Sequence, residues 1–569
     1  MIFELRNHCT KLHDLWVTIV CNMLGTMVIK ASKSWIGFVI GSLLSMAFTG
    51  ISFAMYKIFG TPFIPFDLFD WLTRILPGAV VTFGIDLMID TIRIFGIGVS
   101  KAAIFVEQSV AVILFVIIGG SIGFTFFLVA RHLFDFHDKL AGISFGLGFG
   151  IPMFIVHLTI NEPDSTTIYD GVWLLILFIV WGFVLNLSYK NLVINKNLPT
   201  VSNIVVPGVS RRRFLVKMGT ATAVITIVGM GAGEAVSRLI RKELTREIKS
   251  HVEPNVVMNS VGGFLDSTAA IVPAPGTRSE YTPIKDHYKV SIRIKPTIID
   301  EEKWTLPITG EVENPMILTL KQIRDNYRSR EQYVTLNCIS GRLGTDLIGT
   351  TLWTGASFQD ILDDVNVMNG VKSIFIRSGD GFYESINIDL VYSDSRIMLA
   401  YAWDGNPIPV EHGFPLRLWI PDRYGMKQPK WITGIELLGE SKSGYWVERG
   451  WDPVARVKTV SVIDTVAVDS SYRHNERIYV PIGGIAFAGS RGIGGVEISV
   501  DSGPWMAARL LKPPSETTWV IWRYDWMFES GEHTFEVRST EIDGTPQIVK
   551  PSSPRPSGAT GIHSKKVRI

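Results

Sequence analysis

Cys338 is one of only three cysteines in 569 residues, and the other two, Cys9 and Cys21, lie near the N-terminus. It sits in the run Tyr333-Val-Thr-Leu-Asn-Cys338-Ile-Ser-Gly341-Arg342-Leu343. A solitary thiol in a folded domain is a small buried hydrophobe, a nucleophile or a soft metal ligand. Polar and charged residues recur downstream, in Ser378-Gly-Asp380-Gly-Phe-Tyr383, Glu411-His412-Gly-Phe-Pro-Leu-Arg417 and Tyr424-Gly-Met-Lys427-Gln428-Pro-Lys430-Trp431. Taken one at a time these have structural readings as well. Arg417 could be a structural arginine, and His412 could close a turn before Gly413.

The elements that position these residues begin with composition. Apolar residues make up 47% of the chain, an excess concentrated in about the first 240 residues, and the net charge of +2 argues against a general nucleic-acid binder. Length implies several domains. With no CxxC and no disulfide framework, topology has to decide the compartment.

A bilayer core of about 30 Å needs roughly 20 apolar residues as a helix. Five stretches qualify: Trp35–Tyr56, Ser109–Ala130, Leu140–Leu158, Val172–Leu187 and Phe214–Val236. The segment Ser188–Lys217 carries Lys190, Lys196, Arg211, Arg212, Arg213 and Lys217 without an acid, which predicts a cytoplasmic loop. Asn161–Asp170 carries Glu162, Asp164 and Asp170 without a base and reads as external. Lys30 and Lys33 place the N-terminus inside, as Arg131, His132 and Lys139 place the loop between the second and third spans. Everything after about Val236 is then outside the cytoplasmic membrane. Pro77–Ser100 aligns Thr82, Asp86, Asp90 and Arg93 on one helical stripe. It reads as an amphipathic helix at the outer interface, docked under the external domain, with a buried polar stripe in the bundle as the alternative. Haem is not expected: His132 and His157 fall at opposite membrane depths, and His8, His13 and His137 show no pairing pattern.

Ser210-Arg211-Arg212-Arg213-Phe214-Leu215-Val216-Lys217 is similar to the twin-arginine export motif, and an ordinary positive-inside flank gives the same topology. Without a clear cleavage site the following helix is retained as an anchor, and Arg238–Glu253 continues as a charged stalk.

In the outer portion, Trp304-Thr-Leu-Pro-Ile-Thr-Gly310-Glu-Val-Glu-Asn-Pro315 resembles a W-x-L-x-I-x-G-x-V-x-x-P pattern of the sulfite oxidase family of molybdenum enzymes. Thr335-Leu-Asn-Cys338-Ile-Ser resembles that family's metal-ligand segment, and Trp353–Leu362 resembles the helix after it. Ser378–Ser385, Glu411–Arg417, Tyr424–Trp431 and Gly444–Trp451 follow in family order, so the resemblance covers about residues 280–455. It implies a Mo-molybdopterin cofactor with Cys338 as the thiolate ligand. It also implies that His412, Arg417 and Lys430 anchor the cofactor, with Tyr288, Lys289, Ser378 and the backbone near Gln428 adding contacts. Arg342 is then a candidate substrate anchor, with Arg377 in support, and Asp380 and Tyr383 are candidate pocket residues. Sulfite oxidases carry C-A-G-N-R-R after the ligand, whereas here Gly341 and Leu343 replace the Asn and the second Arg. A single arginine weakens the case for sulfite, because oxyanion recognition gains from several charge-assisted bonds.

From about Arg456 to Ile548, short alternating strands separated by Gly and Asp turns predict a β-sandwich, and the pattern resembles the Ig-like dimerisation domain of the same family. Trp505, Trp519, Trp522 and Trp526 read as its core and interface. The expected architecture is therefore multi-domain: an N-terminal all-α transmembrane bundle (1–237), a stalk and linker (238–279), a mixed α+β sulfite-oxidase-type molybdopterin domain (280–455), an Ig-like β-sandwich (456–550) and a disordered tail (551–569). The expected activity is oxygen-atom transfer on an external small substrate, with a quinone or cytochrome as electron partner and a homodimer by analogy. A sulfoxide or other oxo-substrate reductase, and a cofactor-free membrane scaffold or receptor, are the competing readings.

Overall fold

Long apolar runs without water to hydrogen-bond their backbone must close those bonds internally, so they become helices. A computed structural model describes residues 34–94, 99–133, 140–161, 167–194, 211–251, 271–295 and 297–569. The helices of the N-terminal half are α1 (Ser34–Phe59), α2 (Ile64–Ile75), α3 (Gly78–Ile94), α4 (Val99–Leu133), α5 (Leu140–Ile160), α6 (Thr167–Tyr189) and α7 (Arg211–His251). Five helical stretches are long and apolar enough to cross a membrane: Ser34–Phe59, Ala102–Ala130, Leu140–Ile160, Ile168–Leu192 and Arg213–Val236. They contain the five runs expected from sequence. The loops around 162–166 and 195–210, together with Lys30, Lys33, Lys139, Ser210 and the first two cysteines, lie outside the described residues. So do His8, His13 and His137, and the side chains of Arg131, His132, Arg211 and Arg212.

The chain divides into two units, Met1–Ile75 with Val106–Val257, and Leu76–Phe105 with Met258–Ile569. In the first, glycines let helices meet at the backbone. A Cβ on Gly182 of α6 would lie 2.1 Å from the Gly142 carbonyl oxygen of α5. The short helix α2 was not separable by sequence from its apolar surroundings. It buries Asp67, whose carboxylate pairs with His157 Nδ1 at 2.8 Å. That contact gives His157 a local partner within the bundle.

The second unit claims α3, and the polar stripe explains why. Thr82, Ile89 and Ile92 are buried, Asp86 pairs with Arg555 at 3.3 Å, and Asp90 pairs with Arg342 at 2.6 Å. The helix is thus packed within the C-terminal unit.

That unit contains two subdomains. The first runs through β1 (Thr305–Gly310), β2 (Met316–Thr319), α8 (Leu320–Asn326), β3 (Ser329–Asn337), β4 (Ile348–Ser357), α9 (Phe358–Asp364), β5 (Ser373–Ser378), β6 (Tyr383–Asn387), α10 (Ile388–Ser393), β7 (Met398–Trp403), β8 (Asn406–Pro407), β9 (Arg417–Trp419) and β10 (Ile432–Leu438). One sheet has the order β2-β1-β10-β5-β6, with β1 and β10 parallel. The other is β3-β4-β7-β8, with β9 beside β7. Leu306, Ile308, Phe358, Ile374, Leu399 and Leu418 are fully buried in their shared core. Thr319 and Gln322 form a reciprocal cap on α8, and Ser357 caps α9. Trp353, Thr354 and Gly355, expected in that helix, instead lie in β4, where Trp353 faces Trp403 across the ladder.

The second subdomain is a sandwich of two sheets built from β11 (Val460–Val466), β12 (Tyr472–His474), β13 (Arg477–Phe487), β14 (Ile493–Val500), β15 (Met506–Ala507), β16 (Arg509–Leu510), β17 (Val520–Met527), β18 (Glu532–Glu541) and β19 (His563–Arg568). The orders are β11-β13-β17-β16, with β12 on β13, and β15-β14-β18-β19. Trp522 and Trp526 fill its core, Trp519 joins a second cluster with Ile339, Tyr424 and Met426 of the first subdomain, and Trp505 stacks under Arg538 at 4.3 Å.

Two boundaries differ from expectation. The tail is ordered: β19 pairs with β18 from Glu532↔Arg568 to Val537↔His563. Its alternation of charged and small residues is that of an edge strand with one face on a sheet, which composition alone reads as disorder. The last part of the expected linker also belongs to the sandwich, because Arg278 donates to Asp464 at 2.6 Å.

Candidate active site

Cys338 follows directly on β3. Its N–H donates to Leu347 O at 3.0 Å and its carbonyl accepts from Gly341 N at 3.1 Å, a tight turn that fixes the direction of the thiol. Ile339 next to it is anchored in the cluster between the subdomains. The thiol is buried, and burial pushes its pKa up, opposed by Ser340, whose Oγ lies 3.1 Å from Sγ. Among the described residues no group of three or more His, Cys, Asp or Glu side chains could hold a metal by itself. A metal at Cys338 would have to bring most of its ligands with it.

A buried cage of rings and one cation lies in the same subdomain. The rings of His287 and His412 are 5.6 Å apart, and Trp403 lies 4.9 Å from the first and 4.6 Å from the second. Strand pairing of β9 with β7 carries Arg417 opposite Ala400, and its guanidinium lies 4.4 Å above the ring of Trp353. Arg417 Nη1 donates to His412 O at 2.8 Å. Burial lowers its pKa to about 10, a measure of how poorly this cation is solvated. Burial also holds His412 far below the ordinary histidine range, reinforced by His287, Lys430 and Arg417, so the imidazole is neutral.

Gly413, at φ 118°, turns the chain away after His412, and a Cβ there would meet Lys430 Cβ at 2.9 Å. Trp431 also sits at positive φ, 51°, a conformation held by its Nε1–H bond to Val410 O at 2.7 Å. These two backbone positions place Lys430, whose Nζ donates to Val290 O at 2.9 Å. Desolvation and the charge of Arg417 depress the Lys430 pKa. Lys289 is engaged with Glu411 at 2.7 Å. Behind Gln428 and Lys430, the buried pair Lys427–Glu384 at 2.5 Å ties their turn to β6.

Several buried polar atoms of this subdomain have no hydrogen-bond partner among the described residues, among them His412 Nε2, Arg417 Nε, Ser378 Oγ and Gln428 Oε1. Orphaned polar atoms in a core cost free energy unless a ligand completes them. His412 Nε2, Arg417 Nε and Ser378 Oγ can donate whereas Gln428 Oε1 can only accept, so a group completing them carries both acceptors and donors.

Residues 293–446 match the oxidoreductase molybdopterin binding domain. This segment is a molybdopterin-binding oxidoreductase domain of the sulfite oxidase family. The chain is 29% identical over 158 residues to the uncharacterized oxidoreductase YuiH of Bacillus subtilis (strain 168), covering 27% of this chain and 76% of that protein. It is 26% identical over 288 residues to the sulfite oxidase of Arabidopsis thaliana, covering 42% and 72%. With the NADH nitrate reductase of Spinacia oleracea it shares 27% identity over 191 residues, 29% of this chain but only 20% of that protein. Among solved structures, the sulfane dehydrogenase SoxCD from Paracoccus pantotrophus aligns with 56% of this chain and 96% of its own, at 17% identity and a TM-score of 0.45.

The orphaned atoms suit such a cofactor. Arg417, His412 and Ser378 could supply donors to an anionic, acceptor-rich group, and Gln428 Oε1 an acceptor for a pterin N–H. Tyr288 joins them at the end of β3: its hydroxyl lies 3.2 Å from where a Gly425 Cβ would stand, and that point is 3.6 Å from Asn337 O. Of the expected cofactor residues, His412 and Arg417 share the ring cage, Lys430 packs against Gly413 next to it, and Lys289 is held by Glu411.

The expected substrate-side residues behave differently. Asp380 caps its own turn, accepting from Phe382 N at 3.0 Å. Tyr383 donates to Glu448 and packs beside Tyr445 and Phe375, in a separate cluster. Arg377 pairs with Glu436 at 2.7 Å. Arg342 lies in the turn after Cys338, but its guanidinium is held by Asp90.

His287 was missed by sequence reasoning. Nothing links it to His412, which follows only 125 positions later. Its position immediately before Tyr288 and Lys289 is the one local signal. Burial lowers its pKa to about 4. Between an unfolded value near 6.5 and about 4, the unfolded chain binds a proton that the folded domain refuses. In cofactor-free protein, stability should therefore be intact above about pH 6.5 and fall by up to about 3 kcal/mol as pH drops through 4. Urea titrations from pH 7 to 4 should show a shallower decline in His287→Asn than in wild type.

Proposed function

We propose that this chain is a membrane-anchored molybdenum oxidoreductase whose catalytic domain lies on the external face of the cytoplasmic membrane. The observation that carries the reading is the set of partnerless buried atoms around Arg417 in the same subdomain as the buried Cys338 thiol. Bound there, the molybdenum–molybdopterin group supplies two-electron oxygen-atom transfer. The protein's own contributions are a soft thiolate from Cys338, a desolvated cation from Arg417, and neutral imidazoles from His287 and His412. Trp353 and Trp403 help keep water from that cradle.

Support for the external placement is the charge map of the loops, with the basic 188–217 segment inside. Electrons then pass to or from a quinone or a cytochrome. The departures at Gly341 and Leu343, and the engagement of Arg342 by Asp90, favour a reductase of sulfoxides or other oxo-substrates as the second reading.

The purified full chain should contain about one molybdenum and one pterin per polypeptide. Metal analysis and pterin fluorescence finding neither would overturn the enzyme reading in favour of a scaffold. A turnover screen with sulfite, methionine sulfoxide and nitrate then separates the two enzyme readings.

A further inference from the structure

Arg342 follows the candidate metal ligand by four residues, and its turn is bonded back to that loop through Thr345 N to Arg342 O at 3.2 Å. Its side chain is 39% exposed, and it meets a carboxylate from a distant part of the sequence: Asp90 Oδ1, 2.6 Å away, itself 50% exposed. A pair this accessible contributes little to stability. Its effect on charge at that place is direct, because the cation nearest in sequence to Cys338 is matched by an anion.

The helix that brings Asp90 is firmly seated. Besides Asp90, α3 buries Ile89 and Ile92, pairs Asp86 with Arg555, and packs Gly78 so closely that a Cβ would lie 3.0 Å from Arg449 Cγ. Arg555 is in turn 5.0 Å from the ring of Trp451. Three separate segments of the C-terminal unit therefore hold α3 in register. Its other side exposes Val80, Phe83 and Leu87 at i, i+3 and i+7.

We propose that Asp90 of α3 is a specificity-determining residue: by occupying Arg342 it removes the free cation of the Cys338 loop, so the site takes uncharged oxo-substrates, such as S-oxides or N-oxides, in preference to oxyanions. This rests on the reading of Cys338 as the metal ligand and names the substrate class of that site. The neutralising charge comes from a helix attached to the membrane region, outside the molybdopterin-binding segment. A soluble domain with the same Cys338 loop but without α3 would leave Arg342 free to receive an oxyanion.

The test is sulfate affinity, measured by isothermal titration calorimetry on the full-length, molybdenum-loaded protein in detergent. Removing one charge in contact with Arg342 should tighten sulfate binding about tenfold in Asp90→Asn. Arg342→Gln and the Asp90→Asn/Arg342→Gln double variant should bind no more tightly than wild type. Asp86→Asn, which loosens α3 at another point, should leave affinity at the wild-type level. Asp90→Ser, read the same way, serves if the Asn variant is poorly produced. Wild-type affinity in the Asp90 variants, or an equal gain in the double variant, overturns the proposal. Wild-type protein lacking molybdenum defeats the proposed function itself, whereas loaded protein with an unchanged sulfate affinity in Asp90→Asn defeats only this inference.

Discussion

Cys338→Ser should retain the fold and lose turnover by at least about a hundredfold. The retention follows from packing. Serine is close in volume, the turn around Cys338 is held by backbone bonds to Leu347 and from Gly341, and the neighbouring Ser340 Oγ can hydrogen-bond the new hydroxyl. The loss follows from ligand chemistry. A serine hydroxyl is a harder and far more weakly acidic donor than a thiol, and removal of groups that only support a ligand already costs 10–100-fold in metal affinity or activity. A direct ligand should exceed the upper end of that range. Circular dichroism should be unchanged, and X-ray absorption at molybdenum should show one sulfur neighbour fewer. Normal turnover in a loaded Cys338→Ser protein would remove the ligand assignment.

Arg417→Met should act with opposite signs on cofactor binding and on the stability of the empty protein. The guanidinium is buried without a carboxylate partner among the described residues. It makes one hydrogen bond, to His412 O, and a cation–π contact with Trp353, while Nε is unsatisfied. Such a cation is costly in an empty core, and replacing buried charge by an apolar side chain of similar volume is often stabilising by about 1–4 kcal/mol. Cofactor-free Arg417→Met should therefore melt several degrees above cofactor-free wild type, within the ~2–8 °C that 1 kcal/mol moves a domain of this scale. Protein made in cofactor-producing cells should contain almost no pterin. Differential scanning calorimetry of both forms, with pterin analysis, checks the two signs together. Lower stability of the empty variant would mean that Arg417 is a structural arginine, the alternative left open by its sequence context.

The contrast between Arg417 and Arg342 shows where sequence reasoning reached its limit. Both are arginines in motifs of one family, and the sequence treats them alike. Arg417 is delivered to the cradle because β9 must pair with β7, a constraint contained in the local run of apolar residues around it. Arg342 is decided by Asp90, 252 positions earlier, in a segment whose own pattern left two readings open. The same distinction separates His412 from His287: the motif marks the first, while only the approach of their rings to 5.6 Å reveals the second. The tail failed for a related reason. Its polar alternation has no hydrophobic run to announce a strand, and β18 supplies the missing partner.

Local chemistry alone, then, determined a good deal. Five apolar runs each long enough to satisfy their own backbone bonds are legible as spans, because helical hydrogen bonding is local. The lone thiol and the order of the cofactor motifs are legible for the same reason: each depends on neighbours a few residues away. Tertiary structure decided what long-range pairing controls. It assigned α3 to the C-terminal unit, brought His287, His412, Trp403 and Arg417 into one buried cage, and matched the free-looking Arg342 with a carboxylate. Burial and electrostatics are properties of groups brought together in space, so the cradle was written in the sequence as separate motifs, and its charge balance was set only when the chain folded.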